Sequence, residues 1–529
     1  MTPFLQFRLW AREAPAGERM VAVCLAVVVA TIASWSLVSV NPSHHTTQTL
    51  VTAPPASPAS PATAPNGSAG RPSGTHRGPA GNPTPGATAS VAAGPSSTPG
   101  TRHGSRPAIG HGSTPSATAP ATPDCGPSGS TDQGVTADAI QVDVDVANLA
   151  GAAGNGLVGL PDPKVEKAMF GAAIDWVNNH GGVRCRQLVA KYYTANPLSQ
   201  PSLEALCLDM VADKPFALLD EGLASPVGSP TPRDCPPSHQ LPEFGSLSLS
   251  QREVEQYSPY LFAYNETSEQ VVHDSILAAH EIGWFKGAKK VGLIEQDCIP
   301  DLNSIALSDL ARIGYPNSEV TTFDFGCPND IPSPLSVENA VLRFKSAGVT
   351  NVLDDGGVYE NYFSNDAYNQ HYRPKYMVGD QGSIALWDNR AFGPNPENFE
   401  GALAITATQY GAENTAGATF NALTHDCDLA MKAKGLLGAT DSPDGFAGVA
   451  CTLVHQFVLA ADNAPALVRA DLAAGLAAVG HADMPFPAGP ANYERSHGQY
   501  GGGYWRPDVW HTSCACFEVQ SVRFRLSFS

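Results

Sequence analysis

Ala139-Ile-Gln-Val-Asp-Val-Asp-Val146 is followed, seventeen positions on, by Pro163-Lys-Val-Glu-Lys-Ala-Met-Phe-Gly-Ala-Ala-Ile-Asp-Trp-Val-Asn-Asn179, and the change of period between them decides the fold. In the first stretch apolar and polar residues alternate, the two-residue period of a half-buried strand. In the second, Val165, Met169, Ala173, Ile174 and Val177 recur at helical spacing, and Gly181-Gly182 reads as the stop. Outward from this pair the alternation continues. A strand at 188–193, a helix at 203–211, a short buried strand at 216–219 and a strand edge at 244–249 complete a first series. A second series follows: helices at 269–282, 302–313, 337–346 and 361–369 alternate with strands at 290–295, 320–325, 351–354 and 375–379. Two βα series of similar length predict an α/β protein with two doubly wound parallel-sheet lobes.

The chain has 529 residues, 43% of them hydrophobic, which is enough for more than one core. Its formal charge is −19, from 31 basic and 50 acidic residues. Phosphate recognition needs a basic face, so nucleic acid is not an expected partner. Residues 20–40, MVAVCLAVVVATIASWSLVSV, carry no charge and suffice for a bilayer core of ~30 Å. Arg8, Arg12 and Arg19 precede this segment and the next basic residue is Arg71, so the positive-inside rule leaves 1–19 in the cytoplasm. The expectation is an uncleaved single-pass anchor in the cell membrane with everything after it extracytoplasmic; cleavage would make the protein secreted instead. Residues 41–124 are rich in Pro, Ala, Ser, Thr and Gly and cannot bury enough surface to offset their entropy, so a disordered linker is expected. As a flexible coil it would span about 50 Å.

The globular part is then 125–529, and it holds ten of the 11 cysteines. An even number outside the membrane reads as disulfides. Cys207 with Cys235, Cys298 with Cys327 and Cys427 with Cys451 are local candidates. His511-Thr-Ser-Cys514-Ala-Cys516 could also be read as a metal site, but no second ligand cluster stands at a suitable spacing, and no metal or cofactor is expected. There is no G-x-S-x-G elbow, no H-E-x-x-H helix and no P-loop. Glu221 and Asp354-Asp355 lie at strand ends of opposite series, where paired carboxylates could serve a hydrolase; with 50 acids in the chain such a pairing arises by chance, and no enzyme is expected.

Several segments, in order, resemble the branched-chain amino-acid binding proteins of ABC importers, which are type 1 periplasmic binding proteins. QVDVDVANLAG and AAIDWVNNHGGVRCRQL open the resemblance; ALLDEGLASP, LPEFGSLSLS and SPYLFAYNETSEQ follow in the first series. NVLDDGGVYENYF, KYMVGDQGS and SPDGFAGVACTLVHQFVLA continue it to about residue 465, and the tail beyond Met484 matches least. The resemblance implies a cleft between two lobes joined by three crossings, near Phe262, between Gly401 and Gln409, and near Pro485. Lobe 1 would be about 125–262 with 404–485, and lobe 2 about 263–403 with 486–529. Ligand contacts are then expected from loops after the strands: Ser225, Gly245, Ser246 and Ser248 in the first lobe, Gly357, Tyr359, Asp380 and Gln381 in the second, with Phe446 lining the cleft. A small polar ligand and an ABC permease are the implied partners, and a membrane-anchored sensor is the alternative use of the same lobes. One departure bears on the ligand. Where the family carries a glutamate for the ligand's ammonium, this chain has neutral Gln381 beside Asp380, so zwitterionic branched-chain amino acids are expected to bind poorly.

Overall fold

The computed structural model describes residues 125, 129–149, 151–157, 160–197, 199–221, 234–245, 249–295, 299, 301–326, 332–354, 359–378, 393–412, 415, 417–418, 420–438, 445–521 and 523–528. Five strands form the first sheet: β1 (Ala139–Ala147), β2 (Gln187–Ala195), β3 (Ala217–Asp220), β4 (Glu243–Gly245) and β5 (Leu261–Ala263). All pair in parallel in the order β2-β1-β3-β4-β5. Between them run helices α1 (Pro163–Asn179), α2 (Gln200–Asp213) and α3 (Gln251–Tyr257). Asp162 accepts from the Lys164 amide at the start of α1, and Pro163 fills the first turn, where no amide donor is needed. Helix α3 was not anticipated from periodicity. Its signal is the capping box of Ser250 and Glu253, whose side chains satisfy each other's backbone amides.

The second sheet repeats the first. After α4 (Ser268–Glu281) come β6 (Val291–Glu295), α5 (Leu302–Arg312), β7 (Val320–Asp324), α6 (Pro334–Ala347), β8 (Asn351–Asp354), α7 (Tyr359–Asn369), β9 (Lys375–Val378) and β10 (Leu403–Thr406). The parallel order β7-β6-β8-β9-β10 is the same 2-1-3-4-5 winding. Each sheet is covered on both faces. In the first, Val142, Val144 and Val146 pack with Met169, Phe170 and Ile174 of α1, while Leu218 faces Leu203 and Met210 of α2. In the second, Ile294, Val352 and Val378 meet Phe344 and Phe363, and Leu293, Leu353 and Met377 meet Ile276 and Leu310. Gly292 of β6 is required here: a Cβ would stand 2.6 Å from the Phe344 ring.

Past β10 the chain returns to the first core. Tyr410 and helices α8 (Ala422–Ala433), α9 (Gly445–Asn463) and α10 (Leu472–Val479) pack with α1 and the first sheet. Helix α9 is long and apolar enough to cross a bilayer, but Ala447, Val449, Leu453, Val454 and Phe457 are buried in this core. Ala488, Ala491 and Tyr493 belong to it too, so the chain keeps to the first core well past Pro485. It enters the second sheet at β13 (Tyr504–His511), after the small pair β11 (His481–Ala482) and β12 (Ala491–Asn492). β13 lies antiparallel to β10 and carries β14 (Cys516–Val519) and β15 (Arg525–Leu526).

Four disulfides occur among the described residues: Cys125–Cys185, Cys207–Cys235, Cys427–Cys451 and Cys514–Cys516. The last corrects the alternative metal reading of the tail, because each sulfur is already spent on the other. Cys298 and Cys327 lie outside the described residues, as do 1–124 with the expected anchor and linker.

Candidate functional site

In a 2-1-3-4-5 sheet the connections leave in opposite directions after strands 1 and 3, and the carboxyl ends of those strands leave a crevice. Here this occurs twice, after β1 and β3 and again after β6 and β8. The residues at those four ends are Ala147, Asp220, Glu295 and Asp354.

The first end is acidic in a way that strand alternation did not foresee. Asp143 and Asp145 read as the solvated face of β1, yet both are fully buried, because a central parallel strand is covered on both sides. Asp145 pairs in register with Asp220 of β3, and Glu166 of α1 and Glu221 stand close enough to act on it. Burial first, and then the charge of Asp220, push the Asp145 carboxyl well above its usual range. Asp145 and Asp220 lie side by side in register, and two neighbouring buried carboxyls favour holding a proton between them over ionising together. Burial raises Glu166 to about 8, and Glu221 goes up through burial and the charges of Glu166 and Asp220. Asp143 rises to about 7, mainly by burial, with Asp213 adding and Lys191 opposing. Acids thus concentrate at the rim of the first sheet, and burial favours the protonated forms of Asp145, Glu166 and Glu221. Chemically they offer acceptors to a donor-rich group and repel a carboxylate once ionised.

Gly245 closes β4 beside them. A Cβ there would stand 2.4 Å from the Asp220 carbonyl oxygen, so glycine is what lets β4 end against β3. Tyr359 opens α7 on the other side, but its ring is buried in the second core, stacked on Phe325 with centroids 4.8 Å apart, and its hydroxyl donates to Gly326 O at 3.2 Å. Phe446, second in α9, is half-buried and packs against the first core. Ser225, Ser246, Ser248, Gly357, Asp380 and Gln381 lie outside the described residues.

The strand ends are linked by three crossings that bond to one another. Ala263 N donates to Gln499 O at 3.0 Å, Gly501 N returns a bond to Ala263 O at 2.9 Å, and Gln456 donates to the same carbonyl at 2.8 Å. Thr408 bridges Ala488, and Gln409 N donates to Pro487 O at 2.6 Å. The hydroxyls of Tyr264 and Tyr410 meet at 3.1 Å, joining the first crossing to the second. Behind them Arg506, fully buried on β13, pairs with Asp508 at 3.3 Å and donates to Gln409 at 3.3 Å, with its guanidinium over the Phe524 ring. The three crossings are thus tied to one another by backbone and side-chain hydrogen bonds.

A separate apolar hollow of about 90 Å³, open to solvent, lies between α1, α8 and α9, with Trp176, Val177, Val454 and His455 in its walls. Burial lowers His455 to about 4. It sits at the far end of α1 from Glu166 and takes no part in the strand-end site.

No family model and no curated protein matches the sequence. Solved structures do. The fatty acid ABC transporter substrate-binding protein from Thermomonospora curvata superposes with a TM-score of 0.55 at 14% identity, covering 76% of this chain and 95% of that one. A solute-binding protein from R. palustris in complex with 4-hydroxybenzoate gives 0.52 at 14% identity, over 74% and 98%. The branched-chain amino acid transporter substrate-binding protein of Streptococcus pneumoniae, in complex with isoleucine, gives 0.51 at 14%, over 73% and 100%. The described residues of this chain therefore adopt the fold of the type 1 periplasmic binding proteins.

Proposed function

We propose that this protein is an extracytoplasmic solute-binding protein that takes a small polar ligand between its two sheets and presents it to an ABC permease. The observation that carries the reading is the duplicated 2-1-3-4-5 sheet with both sets of strand ends joined by three mutually bonded crossings. That arrangement supports capture by hinge closure, and a non-enzymatic role is part of the proposal. Residues 20–40 would anchor the chain in the membrane, 41–124 would tether it, and the two lobes would close over Ser225, Ser246 and Ser248 from one side and Asp380 and Gln381 from the other. The same anchor and tether suit a sensor that binds without transport, which is the second reading.

The buried acids bear on ligand chemistry. Asp145, Asp220, Glu221 and Glu166 crowd the rim of the first sheet, where an ionised acid would repel a ligand carboxylate. With neutral Gln381 opposite, neither end of an α-amino acid is well matched. A neutral, donor-rich compound such as an amide or a hydroxy compound fits better. The test is a thermal-shift screen of the whole protein against amides, hydroxy acids, sugars and amino acids. A ligand at 100 times its dissociation constant should stabilise by about 2.7 kcal/mol. Leucine, isoleucine and valine should give no shift; tight leucine binding by calorimetry would refute this ligand class, and the absence of any stabilising compound would count against solute binding itself.

A further inference from the structure

The Cys514–Cys516 disulfide stands apart from the other three. Cys125–Cys185, Cys207–Cys235 and Cys427–Cys451 bridge sequence separations of 60, 28 and 24, whereas Cys514 and Cys516 are separated by Ala515 alone. A disulfide stabilises a fold largely by closing a loop in the unfolded chain, and by linkage the fold stabilises the disulfide to the same extent. A bond across one residue closes almost nothing, so the fold does little to hold it. Ala515 also adopts φ +50°, a left-handed conformation that a residue with a Cβ rarely takes. Opening the ring releases that constraint.

Access matters as well, because exchange requires a thiolate to reach a sulfur. Cys207, Cys427 and Cys451 are buried, while Cys514 is exposed at the tip of the β13–β14 hairpin. Cys125 and Cys185 are exposed too, but their long bridge is reinforced by the fold. The hairpin does not need the bond. Its register runs from Asp508↔Val519 to His511↔Cys516, Thr512 N donates to Glu400 at 2.7 Å, and His511 is clamped between Glu400 and Glu518 at 3.0 and 2.9 Å.

We propose that Cys514–Cys516 is a thiol–disulfide exchange site for low-molecular-weight thiols. The thiolate attacks Sγ of Cys514, the more exposed sulfur, forming a mixed disulfide as the Cys514–Cys516 bond breaks. Cys516 leaves as a thiolate and takes a proton from water. A second thiolate attacks the outer sulfur of the mixed disulfide, which releases the oxidised small-molecule disulfide and leaves two protein thiols. In sum one protein disulfide is reduced and two small thiols are oxidised. The site is separate from the ligand cleft: β13 runs antiparallel to β10, so the hairpin tip lies at the opposite end of the sheet from the strand ends.

The test titrates the unreduced full-length protein with cysteamine, quenches with acid, alkylates free thiols and maps them by mass spectrometry. Cys514 and Cys516 should open at a thiol concentration roughly tenfold or more below that needed for Cys125–Cys185, Cys207–Cys235 and Cys427–Cys451, with cysteamine found attached to Cys514 at intermediate times. Opening of any other described disulfide at the same or lower concentration overturns the proposal, as does a bond at 514–516 that resists when the rest are reduced. The double variant Cys514→Ser, Cys516→Ser should lose the early-reacting pair and keep its melting temperature within a degree or so. A large fall in melting temperature would show instead that the bond is structural.

Discussion

Glu166 shows how a single buried acid sets a pH dependence. Its usual value is 4.5 and burial raises it to about 8 in the folded protein. A raised value means that the folded state binds the proton more tightly, so this contribution to stability is fully present below about 4.5 and is lost as pH rises through about 8. Asp143, Asp145 and Glu266 shift in the same direction, chiefly through burial. The protein should therefore melt at a lower temperature at about pH 9 than at about pH 6. Glu166→Gln, which mimics the protonated acid, should match the parent at about pH 5 and exceed it at about pH 9. Thermal melts across this range check it; identical profiles would mean that Glu166 is already ionised in the fold. Alternation in β1 could not announce this, because the two-residue period assigns Asp143 and Asp145 to one face and does not say whether that face meets water or another helix.

Helix α9 is the element on which the first core depends. It is covered by α8, α10 and α1, and the Cys427–Cys451 bond ties it to α8 across a separation of 24 residues. Gly475 of α10 lets the two helices touch, since a Cβ there would stand 2.0 Å from Ala460 O. Replacing both Cys427 and Cys451 by serine should cost roughly 2–4 kcal/mol, read from the denaturation midpoint of the purified protein. No change would mean that packing alone holds the pair. Most elements were readable at this scale, because each carries its own period and its own stop: α5 was expected at 302–313 and spans Leu302–Arg312, and β8 spans Asn351–Asp354 as expected. Helices α3, α8 and α10 were not anticipated, and neither was the β13–β14 hairpin. Strand β13 was hidden by its composition: Trp505, Arg506, Pro507 and Asp508 do not alternate, since Arg506 and Asp508 are buried as a pair.

At the scale of the whole molecule the crossings between the two sheets meet at Arg506, which pairs with Asp508 and donates to Gln409. Removing the guanidinium takes the buried cation away from Asp508, so Arg506→Met should cost roughly 3–5 kcal/mol, whereas the double variant Arg506→Met, Asp508→Leu should recover much of that loss. A double variant as unstable as the single one would show that Arg506 acts through Gln409 and Phe524 rather than through Asp508. Sequence by itself determined the alternation of strands and helices in two series, and it pointed to Cys207 with Cys235 and Cys427 with Cys451 as local pairs. These follow from short-range periodicity, which a chain displays along its own length. Tertiary structure alone decided that both faces of β1 are covered, that Asp145 meets Asp220, and that Ala488 to Tyr493 stay with the first core. It alone decided, too, that Arg506 sits where the crossings converge. Those facts depend on which distant segments meet, and the free energy of burying a charge is set by all of its neighbours at once, not by its place in the sequence.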